Sequence, residues 1–195
     1  MTGKSPAGRA YHHGDLRRAL LSAAVEAIGE AGPTALSLRD LARRAGVSHA
    51  APTHHFGDKA GLLTALATDG FRLLAGELTR AAQETGSILE IGVAYLRFAV
   101  ENRAHFEVMF RPELYHQDDP ELVAASQQAN AALQAGVAAL PDAPSGREGR
   151  LTGLAAWSIV HGFATLWLAG TLPTDVLGTD PEEAGRSVIH RLFAR

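Results

Sequence analysis

Residues 37–59, SLRDLARRAGVSHAAPTHHFGDK, constrain this chain more than any other stretch, because they read as two short helices joined by a tight turn. Leu38, Leu41, Ala42 and Ala45 recur at spacings of three and four, an apolar stripe that one helix must bury against a neighbour. Ser37 stands as its N-cap, and Asp40 lies in the first turn, where a carboxylate favours the positive end of the helix dipole. Gly46 ends that helix, since glycine takes the left-handed conformation at little cost. Val47 packs inward across the turn and Ser48 caps the second helix, whose first turn is His49, Ala50 and Ala51; Pro52 falls early enough that its missing N–H costs little. A helix this slim at its start suits the major groove of DNA, where side chains must come within reach of base edges. The same pattern also occurs in ordinary bundles, so these residues alone leave a plain helical hairpin open.

The distribution of charge adds weight to DNA. The chain carries a formal net charge of −3, yet residues 1–60 hold eight Lys or Arg against five acids, a net of +3 that leaves −6 on the remainder. A basic end on an acidic body fits a chain with one DNA-facing end, although a solvated basic face would look alike. Five of the nine His (His12, His13, His49, His54, His55) also lie in the first third.

Other classes are constrained by what the 195 residues lack. Without cysteine there is no disulfide framework, thiolate zinc site or thiol nucleophile. No apolar run is read as approaching the roughly 20 residues needed to span a bilayer, and the start MTGKSPAGRAYHHGD has no hydrophobic signal core, so a cytoplasmic protein without membrane contact is expected. There is no Gly-rich phosphate loop, G-x-S-x-G elbow, HExxH or paired carboxylates in an apolar setting, which argues against an enzyme; Asp118-Asp119 and Glu182-Glu183 read as solvated or capping pairs.

Nearly everything else reads as helix. A first helix from about Asp15 to Ala31, ended by Gly32-Pro33, would cover the apolar backs of the helix pair. Asp58 caps a long helix from Lys59 to about Glu84 with a seam of Leu62, Leu63, Leu66, Leu73, Leu74 and Leu78. Further helices are expected from Ile88 to about Asn102, near His105 to Phe110, from Glu121 to Leu140, from Arg150 to Ala169, and from Pro181 to Ala194. Tyr115 to Pro120 and Pro141 to Gly149 read as loops. The Arg150–Ala169 helix is apolar around its whole circumference and so must be covered on all sides.

The histidines invite two functional readings. Adjacent His side chains on a helix point about 100° apart, so neither His12-His13 nor His54-His55 makes a natural bidentate metal site, and no metal or cofactor is expected. His161 sits among apolar residues, either as a satisfied core imidazole or as the polar anchor of a ligand pocket. Phe98, Phe106, Met109, Phe110, Trp157 and Trp167 are core residues some of which would line such a cavity.

The block from Asp15 to Phe71, above all SLRDLARRAGVSHAAPTHHFGDKAGLL, resembles the DNA-binding domain of the tetracycline-repressor (TetR) family of bacterial regulators. YHHGDLR and the distal AWSIVHGFATLWLAG resemble the branch of that family whose C-terminal domain is named for a Trp-His-Gly motif, here Trp157, His161 and Gly162. The resemblance implies that Ser37 and Arg39 contact phosphate or the groove edge, and that Ser48, His49, Ala50 and Ala51 open the recognition helix, with His49 able to donate to a base edge and the alanines to meet thymine methyls. It implies phosphate contacts for His54, His55 and Lys59, and makes Phe56 the aromatic that closes the three-helix core. Where the family usually has Tyr this chain has Thr53, a short hydroxyl in place of a long phosphate contact; Lys4, Arg9 and the leader would compensate.

The resulting expectation is an all-α protein of about nine helices. Residues 1–60 form a helix-turn-helix domain with a flexible leader over 1–13, and residues 61–195 a helical effector-binding and dimerisation domain. It would be a repressor that leaves a palindromic double-stranded operator when a small-molecule effector binds. It would act as a homodimer through the last two helices, with Gly153, Ala156 and Ala164 permitting close approach. The alternatives are a constitutive DNA binder without effector and, more remotely, a small-molecule-binding enzyme.

Overall fold

The computed structural model describes residues 7–139 and 143–193, with side chains described over 16–139 and 143–191. Among the described residues ten α-helices follow one another: α1 (Ala7–Ala35), α2 (Leu38–Arg44), α3 (Ala51–Phe56), α4 (Lys59–Thr85), α5 (Ile88–Glu101), α6 (Arg103–Met109), α7 (Pro120–Ala138), α8 (Gly146–Leu168), α9 (Thr174–Leu177) and α10 (Pro181–Phe193). A 3₁₀ turn, Pro112–Leu114, follows α6, and no strand occurs among the described residues. The helix beyond the expected nine is α9, a single turn entered from Pro173.

Two compact units result. One comprises the described residues up to Ala67 together with Ala104–Asp119; the other comprises Thr68–Arg103 and the described residues from Pro120 onward. These units are drawn differently from the expected division at residue 60: the first turns of α4, to Ala67, and Ala104–Asp119 cluster with the N-terminal helices.

In the first unit α1 does what its apolar face requires. Leu20, Ala24 and Ile28 are fully buried, as are Leu41 and Ala42 of α2, and each buried Leu or Ile contributes about 1.5–3 kcal/mol. The backbone is helical from Ala7, so the leader expected to be flexible over 1–13 is helical in its second half; residues 1–6, with Lys4, lie outside the described residues, as do the side chains of Arg9, His12 and His13. Gly32, at φ 76 and ψ 163, breaks α1 where Gly32-Pro33 was expected to end it.

In the second unit α5 is the central helix, with Ile91, Val93, Tyr95, Leu96, Phe98 and Ala99 all buried. Its neighbours approach closely because glycines stand at the crossings. A methyl group on Gly185 of α10 would fall 1.9 Å from Leu96 Cδ1, and one on Gly136 of α7 would fall 2.4 Å from Ile91 Cδ1. Two bidentate pairs pin the register of α10 on α5: Arg97 to Glu182 at 2.7 and 3.0 Å, and Arg186 to Glu90. In α4, the seam buries Leu62, Leu63, Leu66, Leu74 and Leu78, but Leu73 is 47% exposed, one position off the buried face.

Helix α8 departs from expectation in three ways. Residues 151–168 carry no charge, and by length and composition alone the helix could cross a membrane. Thr152, Ser158, His161 and Thr165 interrupt its apolar residues without adding charge, and the hydroxyls of Thr152, Ser158 and Thr165 bond back to carbonyls four residues earlier at 2.8–3.0 Å. Only one side is covered: Gly153, Ala156, Val160, Phe163 and Ala164 pack on α5, α7 and α10, whereas Leu151, Leu154 and Leu166 are 43%, 51% and 48% exposed. Gly153, Ala156 and Ala164 thus face the inside of the same subunit, Gly153 against Gln134, and do not lie on an outer face.

Candidate DNA-binding interface

Ser37 enters α2 in extended conformation at φ −124 and ψ 131, though its hydroxyl makes no capping bond. The end of α2 is closed by backbone alone. Gly46 at φ 65 lets its own N–H reach the Arg43 carbonyl at 3.2 Å and the Val47 N–H reach the Ala42 carbonyl at 3.0 Å, the paired bonds of a Schellman motif. The chain then turns through Ser48–Ala50, and Ala51 N–H meets the Ser48 carbonyl at 3.0 Å.

Helix α3 therefore starts at Ala51, not at His49, and Ser48 is not its N-cap; that position is Ala50. Pro52 explains the shift. A helix capped by Ser48 would put Pro52 at its fourth position, where the N–H is needed and the ring meets the carbonyl four residues back; starting at Ala51 places it in the first turn.

The buried side chains of α2 and α3 are Leu41, Ala42 and Pro52. Of the expected DNA contacts, Ser37, Arg39, Ser48, His49, Ala50, Thr53 and His54 are exposed, while Ala51, His55 and Lys59 are half-buried. The His54 and His55 rings lie 5.6 Å apart, edge to face, and no cluster of three or more metal-binding side chains occurs among the described residues.

Several groups behind this surface escaped the sequence reading. Arg44 donates to both oxygens of Glu30 on α1, at 2.8 and 3.0 Å, and to Asp40 at 2.8 Å, which Arg43 also contacts. These bonds, with Arg44 foremost, hold the Glu30 and Asp40 carboxyls below their ordinary pKa and raise that of Arg44. Two of the basic residues counted in the N-terminal third are thus engaged with acids. Arg17 lies 5.6 Å above the Phe56 ring, a cation–π contact at the edge of the small core that Phe56 was expected to close. No spacing rule relates residues 14 or more apart, so these pairs become visible only once α1 lies across α2.

The start of α4 is built tightly. Asp58 Oδ1 accepts the Gly61 N–H at 2.7 Å, a bond that holds the carboxyl below its usual range. A methyl group on Gly61 would lie 2.0 Å from the Phe56 carbonyl oxygen, so the chain can turn from α3 into α4 only with glycine here. Lys59 Nζ donates to the Thr34 carbonyl at 2.7 Å, and burial lowers its pKa; two of its three protons stay available to another acceptor. From the polar loop, His116 donates its backbone N–H to Thr64 Oγ1 at 3.0 Å and brings Nε2 to 3.5 Å from Asp58.

The residues expected at a ligand pocket do not come together in one unit. Phe106, Met109 and Phe110 belong to the first, where the Phe106 and Phe110 rings meet at 5.1 Å; Phe98, Trp157, His161 and Trp167 belong to the second. In the second unit Tyr95, buried on α5, joins them. Trp157 Nε1 donates to Tyr95 Oη at 3.3 Å, and Tyr95 Oη lies 2.9 Å from His161 Nδ1. Because indole can only donate, the Tyr95 hydroxyl accepts there, and the direction of the Tyr95–His161 bond follows the imidazole tautomer. Burial raises the Tyr95 pKa and lowers that of His161, keeping both neutral. A separate open depression of about 630 Å³ is lined by Leu89, Arg186, Ser187, His190 and Arg191, none of them an expected ligand residue.

Two stretches of the chain match known family models. Residues 20–66 match that of bacterial regulatory proteins of the tetR family, and residues 88–192, more than half of the chain, match the tetracyclin repressor-like C-terminal domain. The chain belongs to the TetR family. This TetR-family chain is 36% identical over 110 residues to the HTH-type transcriptional regulator BetI of Rhizobium meliloti (strain 1021), covering 56% of this chain and 47% of that one. It is 37% identical over 95 residues to the HTH-type transcriptional repressor Rv3405c of Mycobacterium tuberculosis (strain ATCC 25618 / H37Rv), covering 44% and 48%. The match spans about half the length of these curated relatives, both named as transcriptional regulators. Among solved structures, a protein with unknown function from Rhodococcus sp. RHA1 superposes with a TM-score of 0.76 at 34% identity, covering 97% of each chain.

Proposed function

We propose that this protein is a sequence-specific transcriptional repressor that binds a palindromic operator as a homodimer in the cytoplasm and leaves it when a small-molecule effector binds the second unit. The observation that carries this reading is the exposed run Ser48, His49, Ala50, Thr53 and His54 on a scaffold of buried Leu41, Ala42 and Pro52, inside the stretch matched by the family's N-terminal model. Slim residues at the start of α3 suit base edges, with Ala50 and Ala51 against thymine methyls and His49 as donor; Ser37, Arg39, Thr53, His54, His55 and Lys59 suit the phosphates.

Dimerisation is assigned to the outer side of α8. Leu151, Leu154, Ala155, Ser158, Thr165 and Leu166 share that side and are exposed in the single chain, while in α10, among the residues whose side chains are described, those exposed (Glu183, Arg186, Ser187, His190, Arg191) are polar. The effector is assigned to the Tyr95–Trp157–His161 cluster with Phe98, an apolar setting with few polar groups, in keeping with the Trp-His-Gly branch. Coupling runs through α4, which contributes residues to both units, and is reciprocal: an effector that weakens DNA binding is itself bound less tightly on DNA.

Selection of the purified chain against random duplex DNA tests the reading. A two-fold symmetric site with half-sites about one helical turn apart, 10–10.5 bp, is expected; enrichment of no sequence would exclude a sequence-specific regulator.

A further inference from the structure

Between Ala45 and Asp58 the chain has no Lys or Arg, so the turn and α3 offer DNA no permanent cation, only imidazoles. His49 and His54 are exposed there, next to the exposed Ala50 and Thr53. Charged groups on the surrounding elements are largely engaged. On α2, Arg44 is held by Glu30 and Asp40, Arg43 contacts Asp40, and Arg39 is exposed. On α1, Arg17 lies over the Phe56 ring and Arg18 is exposed. At the start of α4, Lys59 is bonded to the Thr34 carbonyl, and Asp58 accepts from Gly61 and faces His116. The half-buried His55 ring lies 5.6 Å from that of His54.

Imidazole is the side chain whose ordinary ionisation falls between pH 5 and 8, and a phosphate beside it favours the charged form. We propose that DNA binding by this protein is proton-linked: His49 and His54 take up protons when phosphates meet the α3 surface, so that affinity rises as pH falls. The inference rests on the reading of α2–α3 as the DNA-binding surface. Its sign follows from linkage. DNA-bound protein holds more protons than free protein, so the association constant falls as pH rises through neutrality and levels off where the imidazoles are neutral in both states.

The test is fluorescence anisotropy of the full chain, with the duplex recovered by selection and a random duplex of equal length, from pH 5.5 to 8.5 at fixed ionic strength. Wild type is compared with H49Q/H54Q, because Gln keeps an N–H donor but does not titrate. If phosphate raises the proton affinity of each imidazole about tenfold, wild-type affinity rises roughly a hundredfold toward low pH. At pH 5.5 its logarithmic salt dependence should also be steeper than that of the double variant by about 0.9 per phosphate engaged. The double variant is expected to lose the pH slope, whatever its absolute affinity. Circular dichroism checks its fold at each pH, and if it fails, H49Q and H54Q taken singly should each lose about half of the logarithmic slope.

A pH slope undiminished in the double variant would place the linkage on other groups, such as His12, His13 or His116, and overturn the proposal. Wild-type binding without pH dependence would overturn it too, while leaving the DNA-binding reading intact. Failure to bind either duplex at any pH would remove that reading and the proposal with it.

Discussion

Gly61→Ala is expected to destabilise the protein by about 3 kcal/mol, since added volume with no room costs this much when the obstructing atoms cannot move aside. The obstructing atom here is the Phe56 carbonyl oxygen, 2.0 Å from where the new methyl group would sit. That is backbone, fixed by α3 before it and the Asp58 cap after it. Relief requires opening the α3–α4 turn, which breaks the Asp58–Gly61 bond and moves Lys59 off Thr34. For a chain of this size the thermal midpoint should fall by about 10 °C, and DNA affinity should fall with it. Gly76→Ala in the same helix is the control, because a methyl group there meets nothing within 4 Å; it should stabilise by about 0.5–1 kcal/mol. Equal effects of the two changes on the thermal midpoint would refute the steric account.

Leu154→Arg with Leu166→Arg should convert the protein to a folded monomer and reduce operator affinity by about 10²–10⁴-fold, the gain that linking two half-site contacts provides. Both side chains are about half exposed in the single chain, and only 28% of the most apolar window of α8 is buried, too little cover for so apolar a helix. Ala164→Glu should behave differently. Ala164 is 1% exposed and faces the interior, so a carboxylate there is buried without a partner and the subunit itself unfolds. Sedimentation at micromolar concentration separates the cases, and a Leu154→Arg, Leu166→Arg variant that remains dimeric would remove the assignment of α8.

What could be read from sequence was what depends on near neighbours. The Gly46 turn, the Asp58 cap on Gly61 and the extents of α4 and α5 all rest on bonds spanning a few residues, and each stands where expected. The start of α3 was misplaced for a local reason, because Ser48 looked like a cap while Pro52 set the register. The remaining differences are tertiary. Which side of α8 is covered depends on α5, α7 and α10, and composition around a helix cannot say so. The Arg44–Glu30 bonds and the Trp157–Tyr95–His161 chain join residues far apart, and Tyr95 became legible as the partner of His161 only when α5 lay against α8. The candidate DNA surface was more legible than the candidate pocket because it lies within two short helices and their turn.

Ala50→Glu tests the central claim most directly. Ala50 is exposed between α2 and α3, so a longer side chain costs little folding energy, while its carboxylate would stand where base edges and phosphates must come close. Measured by anisotropy on the duplex recovered by selection, its affinity should fall at least about a hundredfold, by loss of close fit and like-charge repulsion, with the thermal midpoint unchanged. Operator binding at wild-type strength by folded Ala50→Glu protein would contradict the assignment of α3 as the element that reads DNA.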